Sequence, residues 1–82
     1  MQQQIPKLKG IEFIFLMKVK EISSNGDQAT PKIMEVELRI TYRAICNIAQ
    51  RLAEKNVITK TNDNWRVYYE PTRIGETIIQ EL

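Results

Sequence analysis

Leu8, Ile11, Phe15, Val19 and Ile22 recur at steps of three and four residues, the spacing of one face of an α-helix. They predict a first helix from about Leu8 to Ile22, with that stripe toward the core. It should end before Ser23-Ser24-Asn25-Gly26-Asp27, a cluster of turn formers. Phe13, Ile14, Leu16 and Met17 lie off the stripe, so the helix is apolar nearly all round. A small monomeric domain does not leave such a surface in water, and a partner subunit is expected to cover Phe13, Ile14 and Met17.

Beyond the turn, Gln28-Ala29 has room for a short strand, and Thr30-Pro31 reads as a helix start. Thr30 is the N-cap, and Pro31 takes the first helical position, where its missing N–H is harmless. Ile33, Met34 and Leu38 should face inward, with Lys32, Glu35 and Glu37 outward. Thr41 caps another helix three residues after Leu38, and this short spacing makes a helix-turn-helix unit. Arg39 is expected to occupy its turn with the backbone outside the left-handed region.

The next helix, Tyr42 to Lys55, has its apolar stripe at Ile45, Ile48, Ala49 and Leu52. Arg43, Asn47, Gln50 and Glu54 lie opposite, with Cys46 and Arg51 on the flanks. Arg, Asn and Gln can make paired hydrogen bonds to guanine or adenine edges. Two strand-like runs follow, Val57 to Thr61 and Trp65 to Tyr69, around a turn at Asn62-Asp63-Asn64. Alternation predicts Trp65, Val67 and Tyr69 on the core side and Arg66 and Tyr68 outside. Thr72 then caps a last helix whose apolar stripe is Ile74, Ile78 and Leu82, with Ile79 adjacent.

An 82-residue chain, 43% hydrophobic and 27% charged, has the makeup of one small soluble domain, 1–82, with residues 1–7 as a flexible arm. Net charge is only +2, but it is unevenly spread. From Arg39 to Arg73 seven basic residues face three acids, leaving the remainder slightly acidic. A basic half on a small domain is what a nucleic-acid face requires.

Leu52-Ala53-Glu54-Lys55-Asn56-Val57-Ile58 resembles the "L-E-x-x-G-L-I" exit from recognition helix into wing. Asn56 holds the left-handed position where Gly is usual. Tyr69-Glu70-Pro71-Thr72-Arg73-Ile74-Gly75 resembles the "Y-x-L-T-x-x-G" closure after the wing, and Gly75 permits close backbone approach. Both are motifs of small winged helix-turn-helix transcriptional regulators of the MarR and PadR kind, which this chain resembles over about two-thirds of its length. The resemblance implies an α+β fold: a three-helix core, a two-strand wing and a C-terminal helix. It implies double-stranded DNA as partner, with the recognition helix, about 42–55, in the major groove and the wing, 57–69, on the backbone or in the minor groove, and contacts from Thr41, Arg43, Asn47, Gln50 and Arg51 on the helix and Lys60 and Arg66 on the wing. It also implies a homodimer through the terminal helices, joining Ile78 and Ile79 to Phe13, Ile14 and Met17.

Other chemistry is scarce. The chain has no His and one Cys, so neither an imidazole base, a common zinc site nor an internal disulfide can be built. Cys46 reads as a small helix hydrophobe. No phosphate-binding Gly loop and no calcium loop are present, so no enzyme activity, metal or cofactor is expected. The longest apolar run, Phe13 to Met17, is too short to cross a bilayer, and the N-terminus lacks a signal-peptide pattern. A cytoplasmic protein is expected, with little room for a buried small-molecule effector. The competing reading is a winged helix used as a protein-interaction module in a larger complex, without DNA binding.

Overall fold

The computed structural model describes residues 6–81, and most of the expected arm over 1–7 lies outside them, as does Leu82. The order is α1 (Gly10–Ser24), α2 (Pro31–Leu38), α3 (Tyr42–Glu54), β1 (Ile58–Asp63), β2 (Arg66–Pro71) and α4 (Arg73–Gln80). The helices form where the chain supplies caps. The Thr30, Thr41 and Thr72 hydroxyls each accept an N–H from three residues on, satisfying donors that the first turn cannot.

At its far end α3 closes with the Val57 N–H on the Leu52 carbonyl and the Asn56 N–H on that of Ala53. Asn56 is left-handed, φ 61°, as the motif required. Arg39 is left-handed too, with φ 56° and ψ 41°, contrary to expectation. Its N–H bonds the Glu35 carbonyl, and α2 must reverse at once for Thr41 to start α3. The tight connection imposes the conformation in spite of the Cβ.

Phe15, Leu16, Val19 and Ile22 from α1 meet Met34, Ile45, Leu52, Val57, Ile58 and Tyr69 in one core. The buried face of α1 is thus rotated from the predicted stripe. Leu16 is fully buried, whereas Ile11 is 40% exposed. Glu12 takes the place expected of an apolar residue, at 1% exposure. Its Oε1 accepts the Lys9 N–H at 2.9 Å and the Lys55 ammonium at 2.9 Å. Lys55 also donates to the Lys7 carbonyl at 3.2 Å, so this pair fastens the start of α1 to the end of α3. The Lys9 N–H foremost, with the Lys55 cation, holds the Glu12 carboxyl below its ordinary range against the opposing effect of burial. On α2, Met34 is buried as predicted, but Ile33 is 39% exposed. Eight residues have only one narrow buried edge, and Met34 and Pro31 fill it.

The two strands pair antiparallel from Ile58↔Pro71 to Asp63↔Arg66. Ala29 adds a single bridge to Tyr69, the remnant of the short strand expected at Gln28-Ala29. The turn is Asn64-Trp65, shorter than and displaced from the predicted Asn62-Asp63-Asn64, because Asn62 and Asp63 still pair across the ladder. Tyr69 is buried and meets Phe15 edge-on, with ring centroids 5.7 Å apart. Val67 is half-buried, but Trp65 does not face the core and is 100% exposed. It lies in the turn, past the last paired residues of the ladder, where strand alternation no longer sets the direction of a side chain.

The Thr72 N–H donates to the Val57 carbonyl at 2.9 Å and its hydroxyl to the Asn56 carbonyl at 2.6 Å, seating α4 on the foot of the hairpin. At Gly75 a Cβ would lie 2.3 Å from the Val57 carbonyl oxygen, which explains the glycine. Lys20 pairs with Glu76 to join α1 and α4. No helix among the described residues is long and apolar enough to cross a membrane.

Candidate nucleic-acid interface

Helix α3 presents two distinct faces. Ile45, Ile48, Ala49 and Leu52 are buried in the core. Thr41, Arg43, Asn47, Gln50 and Arg51 are all exposed at or beside the opposite face. Among the described residues the side chains of Arg43, Asn47, Gln50 and Arg51 make no hydrogen bond and no ion pair. Thr41 uses its oxygen as acceptor in the cap, which leaves the hydroxyl proton to donate outward.

Between these faces, α3 borders the hairpin along a seam. Toward the helix start an open groove of 270 Å³ is lined by Thr30, Pro31, Lys32, Tyr42, Trp65, Arg66 and Val67. Further along, a second groove of 230 Å³ is lined by Cys46, Ala49, Gln50, Ala53, Lys60 and Tyr69. The second brings Lys60 next to Gln50, so the hairpin cation and the helix amide share one surface. Arg66 is exposed, but its guanidinium donates to the Gln28 side chain at 3.3 Å, on the α2 side. Lys60 and Arg66 therefore stand on opposite sides of the hairpin rather than together. Arg51 lies toward the Glu12 carboxylate and adds to the positive field that keeps it ionised.

Cys46 is half-buried at the seam. Burial foremost, with Cys46 and Tyr42 nearby, pushes the Tyr69 hydroxyl up to about 12. Three residues come together at this surface without a signal in the sequence: Lys32, Tyr42 and Trp65. Lys32 and Tyr42 read as ordinary wet positions at helix starts, and only the hairpin's position brings them to one groove.

No family model and no curated protein matches the chain. Solved structures do. AF1382 from Archaeoglobus fulgidus superposes with a TM-score of 0.81 at 15% identity, over 90% of this chain and 81% of that one. MepR of Staphylococcus aureus, a transcription regulator of the multidrug efflux pump MepA, superposes at 0.80 with 17% identity, over 92% of this chain and 55% of its own. The fold is a winged helix. In it β1 and β2 are the wing, and α2 and α3 are the helix-turn-helix. MepR has also been solved in a complex with DNA, and that structure superposes at 0.78 with 17% identity, over 90% of this chain and 53% of its own. The winged helix described here thus spans about half the length of MepR and most of AF1382.

Along α1, Ile11 (40%), Ile14 (52%) and Met17 (39%) are exposed. Phe13, Ile78 and Ile79 are half-buried. The apolar residues singled out from sequence therefore divide, with the most exposed ones on α1.

Proposed function

We propose that this protein is a sequence-specific, double-stranded DNA-binding transcriptional regulator, cytoplasmic, non-catalytic and homodimeric. The observation that carries the reading is the face of α3. Arg43, Asn47 and Gln50 are of the residue types able to pair with base edges, and they are exposed and unpartnered among the described residues, on a helix whose other side is locked into the core. MepR, of the same fold, is a transcription regulator and forms a DNA complex, which supports carrying DNA binding to this chain.

In this reading α3 lies in the major groove, with Arg43, Asn47 and Gln50 toward base edges. Thr41 and Arg51 take phosphates beside it. Lys60 and Arg66 hold the backbone on either side of the wing, where they add affinity without sequence information. The exposed Ile14 and Met17, with Phe13 and with Ile78 and Ile79 of α4, form the contact between two copies. The two α3 helices then address half-sites about one helical turn, ~34 Å, apart.

The test is a mobility shift with duplex DNA over a range of salt, beside sedimentation of the free protein. A dimer neutralising several phosphates should give a slope of log affinity on log salt of about −5 or steeper. Met17→Glu or Phe13→Glu should yield monomers, because a charge would be forced into an apolar contact. A slope near zero would instead favour a protein-docking role. A wild-type monomer at tens of micromolar would remove the dimer from the reading.

A further inference from the structure

The wing tip carries a contradiction. Asn64 and Trp65, the two residues of the turn, both have positive φ, 48° and 73°. A two-residue hairpin with both positions left-handed is favoured because its twist matches the strands, and Asn-Gly is the pair that fits it best. Asn64 suits the first position. Trp65 sits where glycine belongs, a bulky side chain in a backbone region it normally avoids. Such strain persists where surrounding packing compensates for it. Here nothing does, because Trp65 is 100% exposed.

What the indole overhangs is more specific. Trp65 borders the groove whose other apolar residues are Pro31, Tyr42 and Val67, and whose cations are Lys32 and Arg66. No acid lines that groove, and neither cation is ion-paired with a described residue. An exposed indole at the rim of a groove that carries two cations fits a polyanion that also offers flat apolar faces, which is the character of a nucleic-acid groove. A protein partner would need acids placed against Lys32 and Arg66.

We propose that Trp65 is an apolar wedge that enters the DNA minor groove beside the site read by α3. The indole packs against deoxyribose and base faces and opens one base step, while Lys32 and Arg66 hold the flanking phosphates. The inference rests on the DNA-binding reading above and adds to it a determinant of specificity that makes no hydrogen bond to a base. A minor groove about 6 Å wide does not admit a two-stranded ribbon, but it admits the edge of one indole at the apex of a two-residue turn. Opening a step costs least at flexible pyrimidine–purine steps, so base pairs beside each half-site influence affinity through deformability.

The chain contains one tryptophan, so its fluorescence reports this position alone. A duplex is first selected by the wild-type protein from a random-sequence pool, then titrated at fixed salt with emission and mobility shift followed together. Trp65 emission should shift and saturate along the binding curve. Trp65→Gly and Trp65→Ala should bind the selected duplex roughly ten- to hundredfold more weakly, with the salt slope unchanged because no charge is lost. Trp65→Phe should keep most of the affinity. Trp65→Gly should melt no lower than wild type, since glycine relieves the turn. Selection of a duplex with no change in Trp65 emission, and full affinity in Trp65→Gly, overturns the wedge and leaves DNA binding standing. A lowered melting temperature in Trp65→Gly assigns Trp65 a structural role and overturns it as well. If the wild-type protein selects no duplex, the DNA-binding reading falls and the wedge with it.

Discussion

Replacing Glu12 by Ala should destabilise the protein by about 3 kcal/mol. The figure follows from what the carboxylate touches. Its cap on the Lys9 N–H is of the kind that contributes about 0.5–2 kcal/mol. Its charge-assisted bond to Lys55 is of the kind that contributes about 1.5–3 kcal/mol. Glu12 is 1% exposed, but the Lys55 side chain is 33% exposed and can swing into water when its partner is gone. The loss should therefore fall at the low end of the ~3–5 kcal/mol seen when one member of a buried pair is removed. Lys55→Met should destabilise as well, because it leaves the buried carboxylate with the Lys9 N–H as its one hydrogen-bond partner among the described residues. Joint replacement by Leu and Met should recover much of either loss.

The pH dependence has a definite sign. The folded Glu12 value lies below its ordinary 4.5, so the carboxylate's stabilisation is present above 4.5 and is lost as pH falls through the folded value. In Lys55→Met that acid sensitivity shrinks but keeps its sign, because the Lys9 N–H, the largest cause of the lowering, remains. Equilibrium urea unfolding at neutral pH and across the acid range measures all of this. For a domain this size, stability totals about 4–12 kcal/mol, so the Glu12→Ala loss is easily resolved. A loss below ~0.5 kcal/mol, the level of an exposed pair, would refute the claim that Glu12 pins α1 to α3.

Gly75→Ala should cost ~2 kcal/mol or more in urea unfolding, because the new Cβ would meet the Val57 carbonyl oxygen, a backbone atom that cannot step aside. Arg39→Gly should raise stability by about 0.5–1 kcal/mol, since relief of the left-handed Cβ clash exceeds the added freedom of the unfolded chain. Spectrophotometric titration should find one tyrosine, Tyr69, ionising near 12. As its folded value is raised, the stability it contributes is present below the ordinary 10.0 and lost as pH rises from there through about 12.

What could be read from the sequence divides by the range of the forces involved. The N-caps Thr30, Thr41 and Thr72 and the left-handed Asn56 satisfy groups a few residues away, and each stood in the sequence as a local pattern. The wet face of α3 followed from helical period alone. Glu12 did not, because the cation that admits it to the core lies 43 residues away. Without that partner a glutamate marks a surface, and helical spacing alone puts Ile11 in the core stripe of α1 instead. Arg66 was foreseen on the wing, but its turn toward Gln28, 38 residues distant, depends on how the wing lies across α2. Strand alternation points Trp65 inward. That rule ends where the strand does, and the hairpin continues two residues further than turn composition implied.

The central claim is that α3 reads bases while the wing's charged residues supply affinity of a general kind. Asn47→Ala, Gln50→Ala, Lys60→Ala and Arg66→Ala, each measured on a selected duplex and on random duplex at matched salt, test it most directly. The helix variants should lose about 1–3 kcal/mol on the selected duplex and far less on random DNA. The Lys60 and Arg66 variants should weaken both to a similar degree and flatten the salt slope by about one unit each. Equal losses from helix and wing variants on every sequence would contradict the claim.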